Sequence, residues 1–198
     1  MTRLRIVKKD HPEPLSETRA RIISAAVRLF SRQGYHKTTI ADLATAIGQT
    51  SGAIFHHFAG KEDLLHAVVD WLARGLKAYS DVAKRTENGS HQILEETVRV
   101  MREHYQRNPE ATICLVALAT EFAGSNNPIE ERLKEAYEVF IAAFAHSLRN
   151  HPQVRDPRAA AIVFLGSVQG VAIQGLLREN EYSIDTLSET FLAMLSKW

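Results

Sequence analysis

The chain has one cysteine, Cys114, among 198 residues. No internal disulfide can form, and the composition fits a reducing compartment such as the cytoplasm. Nothing approaches a run of about 18 continuous apolar residues, so no transmembrane helix is expected. The N-terminus, M-T-R-L-R-I-V-K-K-D, is basic with no apolar stretch behind it, which does not describe a secretory signal. There is no strand-period alternation and no internal repeat. A phosphate-cradling glycine loop, a metalloprotease motif and a hydrolase motif are all missing. Cys114 lies between Ile113 and Leu115, the surroundings of an inert core thiol. His56 and His57 are adjacent and would point about 100° apart on a helix, a poor geometry for sharing a metal. The expectation is a non-enzyme with neither cofactor nor metal.

Charge of one sign is also scarce overall, with 24 Lys and Arg against 23 Asp and Glu. Its distribution is uneven. Residues 1–60 hold nine cations and four anions, whereas residues 61–198 hold fifteen and nineteen. A basic N-terminal third above an acidic remainder suits a module that binds phosphates.

Within that basic third, residues 38–65 read T-T-I-A-D-L-A-T-A-I-G-Q-T-S-G-A-I-F-H-H-F-A-G-K-E-D-L-L. Thr39 is a suitable helix N-cap, since its hydroxyl oxygen can accept an orphan backbone N–H. Ile40, Leu43, Ala44 and Ile47 recur at helical spacing, and Gly48 sits where that helix must close. Thr50 or Ser51 can cap a second, short helix. Ile54, Phe55 and Phe58 are expected in its core, with Thr50, Ser51, His56 and His57 left polar and outward. Two short helices across a glycine turn describe a helix-turn-helix, whose second helix enters the DNA major groove. A purely structural helical hairpin has the same spacing. The small, polar start of the second helix favours the DNA reading.

Upstream, residues 1–14 form a basic arm with Arg3, Arg5, Lys8 and Lys9, in which Pro12 and Pro14 discourage helix. It suits a minor groove or a solvated tail. A bracing helix starts near Ser16, buries Ile22, Ile23, Ala26, Val27, Leu29 and Phe30, and ends at Gly34. Arg21, Arg28 and Arg32 fall on its wet side. Downstream, Gly60 breaks the chain and Lys61 opens a helix reaching about Arg85. Free N–H groups and a lysine at a helix start suit an anion, so Lys61 and His57 are candidates for a phosphate clamp.

Residues 17–66 resemble the DNA-binding domain of the tetracycline-repressor (TetR) family of bacterial regulators. The residues that carry the likeness are I-I-S-A-A-V-R-L-F-S-R-Q-G-Y, T-T-I-A-D-L-A-T-A-I-G, the run from Ser51 to Phe58, and G-K-E-D-L-L. The tyrosine pair usual in the recognition helix appears here as Phe55 and His56, and Gln49 follows the turn glycine in place of valine. The resemblance implies a helical C-terminal domain for ligand binding and dimerisation. The expected organisation is all-α: an arm over 1–14, a helix-turn-helix domain over 15–62, and an effector-binding and dimerisation domain over 63–198. Lys37, Thr39, His57 and Lys61 are expected on phosphates. Thr50, Ser51, Ala53 and His56 are expected at base edges, with Gly52 permitting close approach. The function implied is a homodimeric repressor that a small-molecule effector releases from a palindromic operator in double-stranded DNA. The alternative is a ligand-binding protein whose DNA domain no longer reads a site.

Helical periodicity continues through 91–107, from Pro109 through Phe122, and through 128–149, 158–178 and 184–195. Gly166, Gly170 and Gly175 lie inside the penultimate helix. Each costs about 1 kcal/mol against alanine, which close helix contact can offset. By resemblance, these glycines with Phe191 and Leu192 are the dimerisation candidates. Trp71, Tyr105, Phe122, Tyr137, Phe140, Phe144 and Phe164 could line an effector cavity or form ordinary core. His104, Glu121 and Gln169 could supply polar handles. Glu121 interrupts an apolar helix and could receive a cation, pair with an arginine or face water.

Overall fold

The computed structural model describes residues 17–85 and 92–195; the basic arm and the start at Ser16 lie outside the described residues. The chain is all-α, with no strand among the described residues. The helices are α1 (Glu17–Gln33), α2 (Ile40–Ile47), α3 (Ser51–His57), α4 (Lys61–Arg85), α5 (Gln92–Arg107), α6 (Pro109–Phe122), α7 (Pro128–Leu148), α8 (Pro157–Leu177) and α9 (Ile184–Leu195).

Local chemistry sets these boundaries. Thr39 caps α2 through its side chain and forms a reciprocal capping box with Asp42. Gly48 closes α2 at φ 66°, a left-handed conformation that glycine adopts without Cβ strain. The Thr50 hydroxyl oxygen accepts from Ala53 N and caps α3. Proline occupies the first turn of α6, α7 and α8, where its missing N–H leaves no helical bond unmade.

α1 to α3 and the first turns of α4 share one core. Ile22, Ile23, Phe30, Leu43, Ile54, Phe58, Leu64 and Val68 are all within 1% of complete burial except Ile23, at 2%. Each such side chain stabilises by about 1.5–3 kcal/mol. α4 runs for 25 residues, about 37 Å at 1.5 Å per residue. It leaves this core and packs along α7. α7, α8 and α9 are bridged by a ladder of rings: Phe140–Phe144 at 5.3 Å, Phe144–Phe164 at 4.5 Å and Phe164–Phe191 at 5.9 Å between centroids. α6 lies against α1 on one side and α5 and α8 on others, which explains why it is apolar nearly all round.

α8 is long and apolar enough to cross a membrane by length and composition. It nevertheless packs on α6, α7 and α9 and sends Phe164 and Leu165 into the core. Only 28% of its most apolar window is buried within the chain. Val163 and Leu177 are 66% and 70% exposed, with Ile162 and Leu176 also exposed. Gly166 and Gly170 lie on this open side, with nothing within 4 Å of an added Cβ. Gly175 differs. A Cβ there would meet Ile184 at 3.2 Å and Leu187 at 3.4 Å, so it admits α9 of its own chain. Its expected place in a dimer contact is corrected.

Candidate DNA-reading head and effector cavity

The helix-turn-helix is held by cations that grip backbone carbonyls. Arg19 of α1 donates from Nη1 to His57 O at 2.6 Å, and its guanidinium lies 4.1 Å from the Phe58 ring centroid. Arg21 donates from Nη2 to Ile47 O at 3.1 Å. Each arginine thus satisfies a carbonyl at the negative end of a short helix. The helical pattern alone leaves Arg21 on the wet side, because its acceptor lies 26 residues away.

Lys61 corrects a further expectation. Its Nζ donates to Tyr35 O at 3.1 Å, His36 O at 3.3 Å and Thr38 O at 3.0 Å, and sits 4.3 Å from the Tyr35 ring centroid. An ammonium has three N–H donors, and here all three are engaged inside the protein. Lys61 staples the turn before α2 and is not placed to clamp phosphate. The Thr39 hydroxyl is similarly committed: it donates to Asp42 Oδ2 at 2.8 Å and accepts from Asp42 N at 3.1 Å. Its hydrogen therefore does not point to a phosphate. These contacts hold the Asp42 carboxyl below its ordinary pKa, led by the hydrogen bond from the Thr39 backbone.

On α3, Ile54 and Phe58 are buried as expected, but Phe55 is 54% exposed. Residues 54 and 58 share one helical face, and 55 falls about 100° round from it. Gly52, Phe55 and His56 are exposed and Ser51, Ala53 and His57 half-buried, with Thr50 exposed at the cap. An added Cβ at Gly52 would have only its neighbour's Thr50 Oγ1 within 4 Å, at 3.7 Å, so a groove edge can approach there. Lys37 is exposed with no ion-pair partner among the described residues. The His56 and His57 rings meet edge to face at 5.2 Å. No cluster suited to a metal occurs among the described residues.

Glu121 is where the two halves of the molecule meet. Its carboxylate accepts from Tyr35 N and His36 N, both at 2.8 Å. It also lies 3.2 Å from where a Cβ on Gly34 would sit. Gly34 has φ +82°, a backbone conformation that favours glycine, and a Cβ there would press on the Glu121 carboxylate. Phe122 is buried beside this grip, 5.6 Å from Tyr35 and 5.5 Å from His36 between ring centroids. Neither residue lines the cavity, and their assignment as effector ligands is corrected.

The cavity lies between α4, α5, α6, α8 and α9 and holds about 370 Å³, a size fit for a small organic ligand. Trp71, His104, Tyr105 and Gln169 line it, and Phe191 joins them. Phe191 therefore turns into its own chain rather than toward a second subunit, while Leu192 packs half-buried against the same core. Tyr137, Phe140, Phe144 and Phe164 stand behind the wall. Phe140 and Phe144 are fully buried in the ring ladder, and Tyr137 accepts from Gln169 Nε2 at 3.0 Å. Burial raises the Tyr137 phenol to about 12 and the Cys114 thiol to about 12, so Cys114 is not a nucleophile. His104, against Tyr79 at 5.5 Å between rings, has its pKa lowered, chiefly by burial and then by Arg107.

The three-helix head bears a helix-turn-helix and is joined to a helical body that encloses a cavity. Residues 22–68 match the family described as bacterial regulatory proteins, tetR family. The match covers the helix-turn-helix head and the first turns of α4, and it is that segment which resembles the DNA-binding domain of the family. It is 48% identical over 60 residues to the HTH-type transcriptional regulator TtgR of Pseudomonas putida, a match spanning 30% of this chain and 29% of that one. It is 24% identical over 194 residues to the HTH-type transcriptional regulator AcrR of Shigella flexneri, covering 90% and 87% of the two chains. The fold is similar to that of the MbdR regulator from Azoarcus sp. CIB, with TM-score 0.79 at 20% identity over 90% of this chain and 96% of that one.

Proposed function

We propose that the chain is a homodimeric, cytoplasmic repressor that leaves a palindromic operator when a small molecule fills its cavity. The observation that carries this reading is the grip of Glu121. α6 lines the cavity with Ala111, Thr112 and Leu115, and Glu121 near its other end holds the turn that leads into the helix-turn-helix. A displacement of α6 by a ligand is thereby felt at the reading head. α4, fastened to the same turn by Lys61 and lining the cavity with Trp71, is the second link.

In this reading Thr50, Ser51, Gly52, Ala53, Phe55 and His56 face base edges. Phe55 offers an apolar surface suited to a thymine methyl, and His56 offers ring nitrogens. Lys37, with His57 beside the groove, holds phosphates that set position without reading sequence. The open apolar side of α8 is covered by the same side of a second copy. A two-fold pair places recognition helices about 34–36 Å apart, one turn of DNA. Effector binding favours a pair in which that spacing is wrong. A tenfold loss of operator affinity takes only about 1.4 kcal/mol of differential binding.

Selection of bound duplexes from a random pool, at near-physiological salt, tests the reading. Enrichment of a palindrome with half-sites one helical turn apart is expected. Recovery of unenriched DNA whose binding vanishes with salt would leave a basic patch without readout and overturn it.

A further inference from the structure

The charged side chains that line the cavity are of one sign, with Asp185 and Glu179 standing outside the lining. The lining includes Arg74 of α4 and Arg102 of α5, and no aspartate or glutamate. The carboxylates that could neutralise Arg74 from its own helix or a neighbouring one are engaged elsewhere. Asp70, one turn before it, pairs with Arg132 of α7. Glu103 pairs with Arg99 and Arg107. Arg74 thus reaches the cavity with no ion-pair or hydrogen-bond partner among the described residues.

Arg102 is less free but not saturated. It meets Asp185 through Nε at 3.3 Å, and its terminal Nη groups have no acceptor among the described residues. A guanidinium offers five N–H donors in a fork that fits a carboxylate. Deeper in, the wall is apolar, with Leu76, Met101, Leu115 and Phe191. The titratable group there, His104, is packed edge to face on Tyr79, and burial disfavours its protonated form. No carboxylate lines the wall to pair with a bound cation, which would have only the ring faces of Trp71, Tyr79, Tyr105 and Phe191 to meet it. Two guanidinium groups could receive an anion.

We infer that the effector is a compact apolar or aromatic molecule with one anionic head, a carboxylate or its equivalent, held by Arg74 and Arg102 with its body against Trp71 and Phe191. The inference rests on reading this cavity as the effector site. It narrows the chemistry of that site and adds nothing to the DNA-binding head.

Three probes with one body and different heads separate the possibilities: 4-phenylbutyrate, 4-phenylbutan-1-ol and protonated 4-phenylbutylamine. Titration calorimetry on the full chain at neutral pH gives the affinities. The carboxylate is expected to bind at least tenfold more tightly than the alcohol, with the ammonium weakest. Arg74→Gln should weaken the carboxylate about tenfold and leave the alcohol within twofold; Arg102→Gln should act in the same direction. Arg74 is exposed, so its replacement leaves the core intact. Three results would overturn the inference: an ammonium that binds as well as the carboxylate, equal losses for carboxylate and alcohol in Arg74→Gln, or no binding by any probe. None of these disturbs the duplex selection, which needs no probe, so failure here is distinguishable from failure of the regulator reading.

Discussion

Two cations of similar appearance in the sequence have opposite roles. Lys37 is exposed and unpaired among the described residues, whereas Lys61 binds three carbonyls of residues 35 to 38. Lys37→Ala should reduce binding to all duplexes and flatten the dependence of log affinity on log salt by about 0.9, the signature of one lost phosphate contact. Lys61→Ala should leave that slope unchanged. It should instead lower unfolding free energy by about 2 kcal/mol, as charge-assisted hydrogen bonds are lost, measured by urea denaturation. His104 supplies a prediction of pH dependence. Its folded pKa lies below the ordinary histidine value because burial disfavours the charged ring. The unfolded chain therefore binds more protons just below about pH 6.5. The contribution is fully present above that pH and is lost as pH falls through the lowered folded value. The melting temperature of the wild type should drop more between pH 7.5 and 5.5 than that of His104→Gln, as followed by circular dichroism.

Residue roles are legible in the sequence only where the partner is close along the chain. The caps at Thr39 and Thr50 act across three residues and can be read directly. Lys61 finds its acceptors 23 to 26 residues upstream, and Glu121 finds its donors 85 and 86 residues away. From sequence, a lysine at a helix start suggests an anion site, and a glutamate in an apolar helix suggests a ligand handle. Both are instead satisfied by backbone groups that only the fold brings near. Phe55 departs from its expected burial for another reason. On a seven-residue helix, apolarity at 54, 55 and 58 looks like one face, but only 54 and 58 are a turn apart.

At the scale of elements, sequence periodicity locates the helices well, because each is bounded by a glycine, a proline or a polar break. It does not say which aromatic rings stack on one another and which reach a cavity. Phe140, Phe144 and Phe164 share the spacing of wall residues, yet they form a ladder behind the wall. α8 carries the next prediction. Its exposed Val163, Gly166 and Leu177 are covered in the proposed dimer. Gly166→Leu adds a side chain into open space within one chain, so folding should survive. Val163→Asp should also fold, since the residue is 66% exposed. Both variants should shift the dimer toward monomer by at least a hundredfold in dissociation constant, read by sedimentation equilibrium. Unchanged self-association in both would remove α8 from the interface.

At the scale of the whole molecule, the continuous α4 and the packing of α6 on α1 join head to body, and Glu121 adds a polar grip to that joint. Glu121→Ala removes the acceptor of two backbone N–H groups. Amide exchange at Tyr35 and His36 should then accelerate about tenfold, equivalent to about 1.4 kcal/mol of lost protection, while exchange within α7 should hardly change. A uniform acceleration across the chain would mean that Glu121 supports global stability rather than the joint.

The same joint bears on how such proteins can be recombined. A head transplanted at the Gly60 break would carry Gly34 and the two amides but leave Glu121 behind on its own α6, to meet whatever residue the host's helix offers in its place. A host with a longer or uncharged side chain there would meet the incoming turn with a clash or with two unanswered N–H groups. If the proposed coupling runs through this joint, such a hybrid would keep both binding events and lose the communication between them. In this chain the glycine on one part and the glutamate on the other are matched, and an exchange of either part alone would break the pair.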